Sequence, residues 1–263
     1  MSDSRNELAL RRVLVAMEPP NLSTQTLFAA RELAQSLQLE LAGLFVEDLN
    51  LLRLAALPIT REVGAASGAV RTLELGDVER ALRTQAEQMR GALSSFAAEL
   101  NLPWSFRVER GELLERVLAE LSEAVAVVFA PAPRKAQIRP SSPAPSAMPS
   151  PRKALAVLGA TATQNRVLSV AQRLSLAPGA TLAVASVTTE RPAFVTNREP
   201  RRSRLPTHAH VMRLSDTSVD TLADAVRITA CDTLVLGSDV FPRQPREFRA
   251  LLERVRCLVV LVG

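Results

Sequence analysis

The chain has no tyrosine, one tryptophan, two histidines and two cysteines among its 263 residues. Each scarcity removes a class of function. The few aromatics, at 3%, are absent from the basic stretch 198–204, where interleaved rings would be needed to stack nucleic-acid bases. The histidines, His208 and His210, stand two apart, so a triad hydrolase would have its general base confined to a single segment. On a strand the same pair would point to one face, as a metal site requires, but no neighbouring Cys, Asp or Glu completes a ligand set. Cys231 and Cys257 lack the number for a disulfide framework and the spacing for zinc, and they read as small buried hydrophobes. No apolar run approaches the roughly 20 residues that cross a bilayer, and "MSDSRNELALRR" lacks the charged-then-apolar pattern of a secretory leader. A cytoplasmic location, no metal and no membrane contact are therefore expected.

What is present belongs to a folded protein: 47% hydrophobic and 22% charged residues, in a length suited to two ordinary domains. The segment 131–151, "PAPRKAQIRPSSPAPSAMPSP", holds seven of the seventeen prolines and no apolar periodicity. It is read as a linker, with domains at 1–130 and 153–263 and the linker spanning 131–152. Net charge differs between the parts. Residues 1–130 hold 13 Arg against 18 Asp and Glu, whereas 131–263 hold 19 Lys and Arg against 9 Asp and Glu. Attraction between unlike halves, or an anionic partner for the second, is consistent with that asymmetry.

Before the linker, apolar runs alternate with helical patterns. "RVLVAM" is a strand, Ser23 caps a helix with Leu27, Ala30, Leu33 and Leu37 on one face, and "ELAGLFV" is a second strand. After an irregular stretch, a long helix begins at an Asp77 N-cap and runs through Val78, Leu82, Ala86, Met89 and Leu93. "WSFRVER" alternates as an edge strand does, while "AVAVVFA" is continuously apolar, as a parallel strand covered on both faces must be. After the linker the grammar repeats: "KALAVLG", a helix over 163–174, "TLAVASV", "HAHVMRL", a helix over 217–229, "TLVLGS", a helix over 246–255, and "CLVVLV".

The order strand, helix, strand, long loop, long helix, edge strand, helix, strand, with "GLFVEDLNLLRLAALPITREV" after the second strand and the closing "LLERVRCLVVLVG", resembles the universal stress protein family in its tandem-domain form. The resemblance implies an α/β fold of two tandem domains, each a parallel sheet of order 3-2-1-4-5. It places any nucleotide across the carboxyl ends of the first and fourth strands, where strand order reverses. The chain departs from the pattern twice: the first half lacks a last helix and strand, and the second lacks the long second helix.

The candidate site starts from "TLVLGSDV", Thr233 to Val240, an apolar run ending in Gly237-Ser238. In ATP-binding relatives the resemblance implies Gly, two residues, Gly, nine residues, then Gly with Ser or Thr. Here Gly237 stands first, Val240 takes the second position, and no further glycine occurs before Gly263. In the first half, Ala130 and Pro131 stand where a glycine would, and proline lacks a donor. Glu18 takes the place of the aspartate that follows the first strand in relatives, and Gly159 takes it in the second half; Glu47 and Asp48 end another strand. ATP is therefore not expected as a cofactor. Two further anion-binding candidates are the basic loop containing Arg201, Arg202 and Arg204, and the side chains of Arg243, Arg246 and Arg249. The basic loop holds no interleaved aromatics, so nucleic acid is not its expected partner. The expectation is a universal-stress-like, non-enzymatic protein that acts through protein binding or homodimer assembly. The alternative is a nucleotide or small-anion module using arginines in place of glycines.

Overall fold

The computed structural model describes residues 12–17, 24–64, 67–121, 124–130, 153–159, 163–176, 179–187 and 210–263. In chain order the elements are β1 (Arg12–Met17), α1 (Thr24–Leu37), β2 (Glu40–Asp48), α2 (Leu49–Ala55), β3 (Arg61–Val63), β4 (Val70–Thr72), α3 (Leu75–Ala98), β5 (Trp104–Gly111), α4 (Leu113–Glu120) and β6 (Ala124–Phe129). There follow β7 (Lys153–Leu158), α5 (Gln164–Leu174), β8 (Thr181–Ser186), β9 (His210–Arg213), α6 (Val219–Thr229), β10 (Thr233–Gly237), α7 (Pro245–Val255) and β11 (Leu258–Val262).

The apolar runs become one nine-stranded sheet, ordered β5-β2-β1-β6-β11-β10-β7-β8-β9. Counted within the second half, β9-β8-β7-β10-β11 is the parallel 3-2-1-4-5 order that the family resemblance implies. The first half gives 3-2-1-4 as β5-β2-β1-β6, all parallel. At the place of its fifth strand stands β11, which runs antiparallel to β6 with Val260 opposite Val128 and Leu261 opposite Val127. The last strand thus pairs within the chain, closing the second half and extending the first. Val259, Val260, Leu261 and Val262 are fully buried, as a strand between two neighbours and two helical layers requires.

Helices cover both faces. One core layer gathers α1, α3 and α5 with the alternate strand residues Val13, Val15, Val128 and Val260. The other gathers α4, α6 and α7 with Leu14, Val127, Leu236 and Leu261. The first layer crosses between the halves, where Arg173 of α5 donates to the Ser36 carbonyl of α1. A partly exposed ion triad ties the other side of the first half: Glu120 on α4 accepts from Arg12 of β1 and from Arg107 of β5, each at 2.6 Å.

Two sequence expectations need correction. The long helix starts at Leu75, not after Asp77; Asp77 lies in its first turn and pairs with Arg80 at 2.7 Å. A negative charge suits either position, so the carboxylate marked the right end of the helix but not the cap. The stretch read as irregular contains α2 and the hairpin β3–β4. Asp48 caps α2, accepting from the Asn50 N–H at 2.8 Å, and Leu52 and Ala55 are its buried face. The linker, the expected Ser23 cap and the basic loop at 198–204 lie outside the described residues.

Candidate functional site

In an open parallel sheet the crevice forms where consecutive connections leave in opposite directions. In the second half that place is between β7 and β10: from β7 the chain proceeds outward to β8 and β9, then returns to the other side for β10 and β11. Gly159 follows the carboxyl end of β7, and Gly237 closes β10. Both are buried, and both face Asp239.

Asp239 occupies the crevice itself. A Cβ placed on Gly237 would come within 2.5 Å of Asp239 Oδ1 and 2.6 Å of Thr163 Oγ1; one placed on Gly159 would collide with Asp239 Oδ2 and with the Val240 side chain. The two glycines therefore make room for a carboxylate supplied by the chain. Thr163 holds it by donating its hydroxyl to Oδ1 at 2.6 Å. The helix that begins at Gln164 puts Thr163 there, and the Gln164 amide anchors the same turn by donating to the Gly159 carbonyl.

Two backbone donors of the turn are committed as well. The Ser238 N–H donates to Val262 of β11 at 2.9 Å, and the Val240 N–H donates back to Gly237 at 3.1 Å. A phosphate nest needs such N–H groups turned outward and free. Val240, standing where the family pattern has its second glycine, points inward and is 6% exposed. Arg243 donates to the Ser238 carbonyl over a long 3.4 Å contact, and Arg243, Arg246 and Arg249 all lie on the exposed surface of the following turn and helix.

The other sequence candidates are dispersed. Glu18, Arg201, Arg202, Arg204 and His208 lie outside the described residues, as does the side chain of His210. Glu47 and Asp48 have structural partners: Asp48 caps α2, and Glu47 accepts from Arg110 at 2.8 Å. That bond, with the charge of Glu47 behind it, holds the Arg110 guanidinium above its ordinary value. Among the described residues no group of three potential metal ligands comes together, and no helix is long and apolar enough to cross a membrane.

Sequence reasoning missed two features. Asp239 was legible only as the residue after Ser238, since its partners Gly159 and Thr163 lie far away in sequence. The second is an apolar surface around α2 and the hairpin, where Leu54 (52% exposed), Ile59 (84%), Val63 (65%) and Val70 (59%) face outward on one short segment. Thr60 ties this segment together, its hydroxyl on the Leu54 carbonyl at 2.7 Å and its carbonyl accepting from Leu73 at 3.0 Å.

No protein-family profile matches the chain, and no curated protein matches it. Solved structures do. A functionally unknown protein from Pseudomonas aeruginosa PAO1 aligns at 15% identity over 99% of this chain and 94% of its own, with a TM-score of 0.45. A protein from Pseudomonas aeruginosa UCBPP-PA14, provisionally described as a universal stress protein, aligns at 15% identity over 97% and 93%, also at 0.45. A universal stress protein from Archaeoglobus fulgidus aligns at 11% identity over 97% of both chains, at 0.42. At these identities and scores the likeness is one of overall shape alone.

Proposed function

We propose that this is a universal-stress-like protein that works by protein binding or assembly, without catalysis and without tight ATP binding. The observation that carries the reading is the position of Asp239. Its carboxylate stands between the two glycines of the strand-order crevice, where a bound phosphate would need to be, and a like charge there repels an anionic ligand at short range. The apolar segment from Leu54 to Val70 supports the binding half of the proposal, because large apolar side chains left exposed close together along the chain, with Val63 and Val70 paired across the hairpin, are what a protein interface uses. The stress context itself comes from the family resemblance.

Calorimetric titration with Mg-ATP tests the reading. No saturable heat is expected from the wild-type chain, and Asp239→Ser should introduce weak, salt-sensitive binding. A wild-type Kd in the low micromolar range would overturn the proposal and favour the arginine-based anion module, with Arg243 the first side chain to replace. Sedimentation of the wild type beside Ile59→Glu tests the assembly arm: self-association or partner capture that is indifferent to this substitution would move the interface elsewhere.

A further inference from the structure

The two cysteines are far apart in sequence, yet the fold delivers them to one place by the same device used twice. Helix α6 ends in Ala230, whose φ of 49° turns the chain through the left-handed region, and Cys231 follows on its way into β10. Helix α7 ends in Arg256, with φ 48°, and Cys257 follows on its way into β11. The two strands are parallel neighbours with Thr233 opposite Leu258, so Cys231 and Cys257 stand one residue out of register at the amino ends of adjacent strands. Adjacent strands lie about 4.8 Å apart, so the two positions are near neighbours across the seam. A disulfide there would require Cα atoms about 4.4–6.8 Å apart. Both side chains belong to the core layer under α6 and α7.

Both are buried, and it is the lining of a cavity that distinguishes them. Cys231 lines a cavity of about 420 Å³ at the amino ends of β7 to β9, together with Lys153, Ala183, Met212 and Ile228. Ile228 is 67% exposed at its edge. Cys257 is outside that lining.

We propose that Cys231 and Cys257 form a peroxide-reactive dithiol, in which Cys231 meets the hydroperoxide and Cys257 resolves the product to a disulfide. In the first step the Cys231 sulfur, as thiolate, attacks one peroxide oxygen and the O–O bond breaks. The departing hydroxide takes up the proton that Cys231 released, giving water and a sulfenic acid on Cys231. In the second step the Cys257 sulfur attacks the Cys231 sulfur, the S–O bond breaks, and the departing hydroxide carries off the Cys257 proton as a second water. Two thiols together supply the two electrons that reduce one hydroperoxide. Polar contact with Cys257 holds the Cys231 thiol below its ordinary value, against the opposing effects of burial and the Asp232 charge. Cys257 is pushed up by its contact with Cys231 and by burial.

The test uses the reduced full chain and hydrogen peroxide at one equivalent, followed by thiol counting under denaturing conditions, intact mass and non-reducing peptide mapping. The expected result is loss of both thiols, a mass lower by two hydrogen atoms, and one peptide linking position 231 to position 257 of the same chain. Cys257→Ala should stop at a sulfenic acid on Cys231 that dimedone traps. Cys231→Ala should slow peroxide consumption by roughly tenfold or more and leave Cys257 a thiol. Thiols that stay reduced in the wild type, a link between two chains, or equal rates in the two single variants would each overturn the proposal. Where a variant does not fold, as circular dichroism shows, the wild-type peptide map decides.

Discussion

Leu261→Ala tests whether the two halves of the sheet are one cooperative unit. Leu261 is fully buried in β11, opposite Leu236 of β10 on one side and Val127 of β6 on the other. Truncating a buried leucine costs about 2–5 kcal/mol, more where the surroundings cannot collapse into the gap. Here both flanking strands are held in their ladders, so a cost of about 3 kcal/mol is expected. For a chain of this size each kcal/mol lowers Tm by roughly 2–4 °C, which gives a drop of about 6–12 °C. The decisive reading is where the drop is felt. The single tryptophan, Trp104, lies on β5, the outer edge of the first half and the far end of the sheet segment from β11. Thermal unfolding should be followed by Trp104 fluorescence and by far-ultraviolet circular dichroism on the same sample. Because β11 belongs to both halves, the two midpoints should fall together by the same amount. A Trp104 midpoint that stays in place while the circular dichroism transition moves would refute the shared-strand argument, since the first half would then be stable without its borrowed neighbour.

Two smaller perturbations read local structure. Ala230→Gly should stabilise the chain by about 0.5–1 kcal/mol in chemical denaturation, because Ala230 is exposed and holds a φ of 49° that costs a side-chain-bearing residue about that much. A loss of stability would show that its methyl group packs. Asp216 is held well below the ordinary carboxylate range, chiefly by the Ser218 hydroxyl and also by the Thr221 hydroxyl and the Ser218 N–H, which donates to it at 2.8 Å. A carboxylate depressed in the folded state contributes stability that is present above its unfolded value and is lost as pH falls through the folded one. The stability difference between wild type and Asp216→Asn should therefore shrink as pH is lowered from neutral into the acid range; a difference that does not change with pH would refute it.

The sheet could be read from the sequence because its strands are local signals. "AVAVVFA" and "CLVVLV" are apolar on both faces, and the structure places both at the centre, while the alternating "WSFRVER" became the edge strand β5. Their pairing with each other could not be read, since nothing in either run specifies an antiparallel partner from the other half. The hairpin was missed because its strands are three residues each and face solvent, leaving no periodicity to detect. The candidate crevice shows the same limit from the other side. Gly237-Ser238 announced a strand end, and the missing glycines argued against a phosphate nest. The residue that fills the space, Asp239, has its meaning only through Gly159 and Thr163, which the fold brings to it.

The antiparallel seam between β6 and β11 sets an order of events during synthesis. The ribosome releases β6 long before β11, so the first half emerges with "AVAVVF" as an open, apolar edge whose natural partner does not yet exist. An edge of that kind is a template for pairing with another chain. The interval lengthens with the contact distance along the sequence, since closing so long a loop is slow. Slowing translation across the second half should therefore raise the yield lost to aggregation, and a peptide matching β11, supplied while the chain is being made, should compete for that edge.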